Sequence, residues 1–139
     1  MDRADWRLVR ESMDDFDTCG PALIAMAVRS LGDNHPEVRA LLPRDTSIYH
    51  ARWYATLRQI VTHAGQFGRL TDPLARLGAQ ANAAGARPNH YRAVRDELLR
   101  AMADLAGDVW TERTRRAWTE LLDAAIGAML AGASARRAA

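Results

Sequence analysis

Apolar residues recur every three or four positions along almost the whole chain, and the breaks in that rhythm fall at prolines and glycines. This is the period of a helix with one buried face, whereas a strand buries alternate residues. The five prolines, Pro21, Pro36, Pro43, Pro73 and Pro88, all stand at such breaks. Proline fits the first turn of a helix and disrupts its interior, so these positions read as helix starts and stops. Ala, Leu and Arg, which favour helix, outweigh the β-branched residues. Period, punctuation and propensity agree on an all-α fold.

The spacing predicts a first helix over about residues 3–17, with Trp6, Val9, Met13 and Phe16 on one face. Asp17 or Thr18 is placed to cap the next helix, which opens at Gly20-Pro21, runs to about Leu31 and buries Leu23, Ala27 and Leu31, with Gly32-Asp33-Asn34 ending it. A short helix from Pro36 to Leu42 is closed by Pro43. The loop Arg44-Asp45-Thr46-Ser47 supplies caps for a longer helix over about 47–66, with Tyr49, Trp53, Leu57, Ile60, Ala64 and Phe67 in register. A weaker helix runs from Asp72-Pro73 to about Ala84. Pro88 opens a strong one carrying Tyr91, Val94, Leu98, Met102 and Leu105, and Gly107 stops it. Thr111 caps the last, with Trp118, Leu121, Leu122, Ala125, Ile126 and Met129. This inventory is six or seven helices in one domain over residues 1–132. Residues 133–139 carry no apolar face and are expected to form a disordered tail.

Charge argues against several classes of function. Nineteen basic residues, all arginine, face 17 acidic ones, and the two signs are interleaved. A nucleic-acid surface needs a one-sided basic face, so no nucleic-acid partner is expected. The single cysteine, Cys19, cannot pair internally. No apolar run reaches the ~20 residues of a membrane span, and the first residues hold no apolar signal core, which points to the cytoplasm. No His, Cys, Asp or Glu set has metal-ligand spacing, and no nucleophile with a base can be placed. Asp14, Asp15 and Asp104 read as solvated charges, and no catalytic residue is assigned. His63 and His90 read as surface residues, and His35 as a loop residue.

Three stretches carry a resemblance. His35-Pro36-Glu37-Val38-Arg39-Ala40-Leu41-Leu42 is similar to the "Pro-Glu-(x)-Arg-(x)-Leu-Phe" segment after the second helix of the globin module of bacterial flavohaemoglobins and single-domain bacterial haemoglobins. Arg87-Pro88-Asn89-His90-Tyr91-Arg92-Ala93-Val94, with Leu98-Leu99, resembles the start of that family's penultimate helix. Trp110-Thr111-Glu112, followed by Ala117-Trp118, resembles the start of its last helix. The resemblance spans about residues 5–130 and implies a globin-like fold. It also implies a haem site, and here the chain departs from the pattern. Where the family places the proximal histidine, ten residues before the tyrosine of "His-Tyr", this chain has Ala81. Between Gly68 and Asn89 there is no His, Cys, Met or Tyr, the side chains that can ligate haem iron. The haem-wedging phenylalanine falls on Leu42, the distal tyrosine on Val28, and the glutamate of the last helix near Ala133. Of the haem-linked set, Tyr91 remains.

The resemblance therefore implies a haem-free binding or regulatory module, with no cofactor expected. Its vacated pocket is either collapsed or open to a small apolar or aromatic ligand. Val28, Leu42, Tyr49, Trp53, Ala81, Tyr91 and Trp118 would line it, and Tyr49, His50 and Tyr91 would orient the ligand. Trp53 is the expected filler of a closed cavity. The alternative is a haem protein binding oxygen or nitric oxide, with Tyr49 or His50 as a distal iron ligand. An enzyme is the less favoured reading. Nitric-oxide dioxygenase activity of the flavohaemoglobin kind is not expected, with the haem ligand missing and no flavin or nicotinamide domain expected. A homodimer through the last two long helices is a further expectation.

Overall fold

The computed structural model describes residues 1–42 and 46–138. Its helices are α1 (Arg3–Phe16), α2 (Pro21–Asn34), α3 (Pro36–Arg39), α4 (Thr46–Thr62), α5 (Thr71–Ala83), α6 (Pro88–Ala106) and α7 (Glu112–Ala138), with 3-10 segments at Ala64–Leu70 and Gly107–Val109. Among the described residues there is no strand. The expected stop at Pro43 and the caps at Arg44 and Asp45 lie outside the described residues.

Each helix begins or ends for a local chemical reason. A reciprocal capping box opens α1: the Asp5 amide donates to Asp2 Oδ1 at 2.9 Å, and the Asp2 amide donates to Asp5 Oδ2 at 3.3 Å. Gly20 precedes α2 with φ +53°, a backbone conformation that disfavours any side chain. It stands at the N-cap in place of the expected Asp17 or Thr18, because both are engaged elsewhere. Thr18 Oγ1 donates to the Asp15 carbonyl at 2.8 Å, and the Asp17 carboxylate accepts from Tyr54 and Arg58 on α4. Thr111 caps α7 as expected, its Oγ1 accepting from the Thr114 amide at 3.1 Å. Two boundaries differ from the sequence reading. α2 continues to Asn34, whose side chain reaches α6, and α4 stops at Thr62, so Phe67 falls in the 3-10 segment.

The core forms where α1, α2, α4, α6 and α7 meet. Trp118 sits at its centre with no exposed surface, 6.3 Å from the Phe16 ring. Val9 and Met13 of α1, Leu23 and Ile24 of α2, and Leu57 and Val61 of α4 belong to the same cluster. A smaller cluster of Leu31, Val38 and Ala93 anchors α3. The carboxylate of Glu97 on α6, only 3% exposed, accepts from Asn34 Nδ2 at 2.9 Å and lies 3.4 Å from Arg100 Nη1. That bond fastens the end of α2 to α6.

α5 lies against α7 with backbone touching backbone. A Cβ on Gly78 would sit 1.8 Å from the Met129 carbonyl oxygen, and a Cβ on Gly132 would sit 2.0 Å from that of Ala75. Each helix thus presents a glycine to the other's backbone, as small residues allow at close helix crossings. α7 runs from Glu112 to Ala138, and Ala133 is only 2% exposed.

Candidate functional site

α4 and α5 scarcely touch each other, although each packs closely on other helices. Both helices carry residues singled out in the sequence. On α4, Tyr49, His50 and Trp53 are all half-buried. Tyr49 stacks at a tilt on Trp53, with ring centroids 5.3 Å apart, and lies 6.1 Å from the His50 ring. Edge-tilted arrangements of this kind suit aromatic quadrupoles. Burial pushes the Tyr49 phenol up to about 12, so it stays protonated at neutral pH. The Nε2 atom of His50 is buried and has no hydrogen-bond partner among the described residues. A buried polar atom left this way costs free energy unless something completes it.

α5 contributes no such group. Its residues, Thr71 to Ala83, include no imidazole, thiol, thioether or phenol. Ala81 is half-buried. Leu77, one turn before it, is 38% exposed for a large apolar side chain. The two helices differ in chemistry: Tyr49, His50 and Trp53 stand on α4, whereas α5 carries Leu77 and Ala81. A haem held through α5 does not fit these residues, because iron would find no donor there. Among the described residues two buried side-chain nitrogens lack a hydrogen-bond partner, His50 Nε2 on α4 and Trp118 Nε1 on α7.

The other sequence-named residues divide. Val28 and Trp53 are part-buried and pack against the main core, and Leu42 is half-buried. Tyr91 is buried, and its hydroxyl donates to the Gly78 carbonyl at 3.4 Å, so it ties α6 to α5. Trp118, expected to line the pocket, lies in the main core with no exposed surface. His90, expected at the surface, also caps α6, since its Nδ1 accepts from the Arg87 amide at 2.9 Å in an exposed bond. His35 sits at the α2–α3 junction, 3.8 Å from the Glu37 carboxylate. His63 Nδ1 is 3.1 Å from the Gln59 carbonyl at the end of α4.

Two features escaped the sequence reading. One is the cluster in which the Asp17 carboxylate accepts from the Tyr54 hydroxyl and from Arg58, joining α1 to α4. Burial first, and then the bond to Asp17, raises the Tyr54 phenol above its ordinary range. No spacing rule links residues 37 positions apart, so no sequence signal pointed to it. The other is the glycine seating of α5. Gly78 and Gly132 were visible as helix glycines, but nothing indicated that they face each other's backbones. No helix among the described residues is long and apolar enough to cross a membrane.

Comparison with known proteins agrees with this architecture. The chain superposes on a bacterial globin from Campylobacter jejuni with a TM-score of 0.87 at 13% identity, covering 99% of this chain and 100% of that one. An engineered carbene transferase from Rhodothermus marinus, described as a putative nitric oxide dioxygenase, gives a TM-score of 0.88 at 22% identity, covering 99% and 96%. A flavohaemoprotein of Vibrio cholerae is 21% identical over 115 residues, which is 81% of this chain and 29% of that protein. The chain thus spans under a third of that relative's length. The resemblance to the globin module of bacterial flavohaemoglobins is borne out, as is the all-α globin fold. The globin family model matches residues 48–129, more than half of the chain, and the chain belongs to the globin family.

Proposed function

We propose that the chain is a globin-type binding module that works without haem, with the space between α4 and α5 as its ligand site. The observation that carries this reading is how α5 is held. A haem globin secures the corresponding helix partly through its bond to iron. Here α5 has no donor for iron, and its backbone is seated on α7 through Gly78 and Gly132. The protein itself provides the anchorage. A ligand matched to the site is small and flat, with an aromatic or aliphatic body to lie against Tyr49 and Trp53. The protonated Tyr49 hydroxyl and the buried His50 Nε2 are the polar groups available to orient it. Binding rather than turnover is the role proposed for the module.

A second reading rests on His50 alone. A buried imidazole nitrogen without a partner is a competent iron ligand, so haem held from the α4 side is the alternative. Haem so held would supply a site for oxygen or nitric oxide.

One titration separates the two. Hemin is added to the purified chain while the Soret band is followed, and the quenching of tryptophan fluorescence by a naphthalene probe is measured in parallel. The haem-free reading expects no saturable Soret change, and saturable naphthalene quenching that is lost on Trp53→Ala. A one-to-one Soret band abolished by His50→Phe would overturn it in favour of the second reading.

A further inference from the structure

The solvent face of α1 carries its charges in an order that an isolated helix disfavours. Arg3, Arg7 and Arg10 occupy its first part, and Glu11, Asp14 and Asp15 its second. All six are exposed, and none has a side-chain hydrogen bond or ion pair among the described residues. The helix N-terminus is the positive end of the backbone dipole and the C-terminus the negative end. The arginines therefore sit at the positive end and the carboxylates at the negative end. No basic residue stands in the last turn to offset this. The pairs Arg7/Glu11 and Arg10/Asp14 are spaced i, i+4 with the base first, the weaker orientation, and neither closes as an ion pair.

Beside this face runs a groove of about 590 Å³, bordered by Arg3, Trp6, Arg7, Arg10, Glu11 and Gly65. Its floor is the Trp6 ring against the Gly65 backbone. A Cβ at Gly65 would lie 2.6 Å from Trp6 Cζ3, so the glycine makes room for the ring. Trp6 is half-buried, with its Nε1 donating to the Met1 carbonyl at 3.2 Å. The face thus combines a concave apolar floor with unpaired charges of both signs.

We infer that this face docks a second copy of the chain, the two α1 helices running antiparallel about a two-fold axis near Val9. That register sets Arg3 opposite Asp15 of the second copy and Arg7 opposite Glu11 of the second copy. The two-fold repeats both pairs over a span of about 18 Å. The dipoles of antiparallel helices also oppose each other, so each set of charges lies beside the end of the partner helix that favours it. An acidic partner segment would meet Glu11, Asp14 and Asp15, and a basic one would meet the three arginines. Only a partner with the reverse charge order matches the whole face, and an antiparallel copy has that order. The inference is independent of what occupies the space between α4 and α5.

Exposed ion pairs are screened by salt, so the dimer is weak and salt-sensitive. The test is sedimentation equilibrium of the full chain at about 20 mM and about 500 mM sodium chloride, where the screening length falls severalfold. The wild-type chain is expected to dimerise at low salt and to dissociate at least tenfold more readily at high salt. The variants Arg3→Glu/Arg7→Glu and Glu11→Arg/Asp15→Arg are each expected to be monomeric alone and to form a heterodimer when mixed. Should either lose helix content by circular dichroism, Arg3→Gln/Arg7→Gln and Glu11→Gln/Asp15→Gln replace them, each expected to weaken the dimer at least tenfold. A wild-type chain monomeric at low salt overturns the inference, as does a dimer indifferent to salt and to these variants. A monomer that retains a poly-glutamate peptide on this face also overturns it, assigning the face to an acidic partner.

Discussion

Replacing Gly78 by alanine sets two opposed effects against each other at one atom. In a helix interior, alanine is favoured over glycine by about 1 kcal/mol. At Gly78, however, the new methyl would lie 1.8 Å from the Met129 carbonyl oxygen and 2.5 Å from its carbon, both backbone atoms that no rotamer change can move. Normal contact lies near 3.4 Å, so α5 and α7 must separate by about 1.5 Å. α5 has 13 residues and is thus about 20 Å long. Opening a seam of that length, ~6 Å wide, by 1.5 Å creates a void of roughly 180 Å³, equivalent to about 4 kcal/mol if none of it relaxes. Overpacking typically costs about 1–3 kcal/mol, which brackets the partly relaxed case. After the propensity gain of about 1 kcal/mol, the expected net loss is up to about 3 kcal/mol. For a chain of this size that lowers the melting temperature by up to roughly 12 °C. The assay is thermal unfolding by circular dichroism, with Gly127→Ala as control. A Cβ at Gly127 meets nothing within 4 Å, so that variant is expected to gain up to about 1 kcal/mol. A Gly78→Ala protein as stable as its Gly127→Ala counterpart would refute backbone-on-backbone seating of α5.

Three other outcomes follow from the same structure. The Tyr49 phenol ionises near 10 when unfolded and is pushed up to about 12 by burial, so its contribution to stability is full below pH ~10 and lost as pH rises through about 12. Tyr49→Phe should flatten that alkaline fall, and a melting series between pH 8 and 12 that is unchanged by the substitution would contradict its burial. Asn34→Ala removes a partner of the buried Glu97 carboxylate and should cost about 1–3 kcal/mol in urea unfolding. Removing both groups with Asn34→Ala/Glu97→Gln should cost less than the two single substitutions summed, since the pair is coupled. Asp17→Asn should weaken the tie between α1 and α4 and return the Tyr54 phenol toward its ordinary value, read from tyrosinate absorbance against pH.

The helices were legible because burial imposes a period on sequence. Val9, Met13 and Phe16 on α1, and Leu121, Leu122 and Ala125 on α7, are buried as their spacing requires. The absence of an iron donor from α5 is likewise a fact of composition, readable without coordinates. Placement within the site was less legible. Tyr49, His50 and Trp53 share one helix end, so local spacing brought them together. Trp118 sits on a strong apolar stripe, and the stripe shows that a residue faces inward without showing whether it meets core or ligand. His90 looked idle because capping depends on the backbone turn before the helix rather than on any periodicity.

Sequence alone determined the all-α class, the order of the helices, the buried face of most of them and that Thr71 to Ala83 hold no His, Cys, Met or Tyr. These depend on contacts within a few residues, where helix geometry is fixed at 3.6 residues per turn. Tertiary structure alone decided that Gly78 and Gly132 seat α5 on α7, that Asp17 serves α4 instead of capping α2, and that His50 Nε2 lacks a partner. Each of those depends on which surfaces of distant segments meet, and on distances of a few tenths of an ångström between them. Helical spacing carries no information about either.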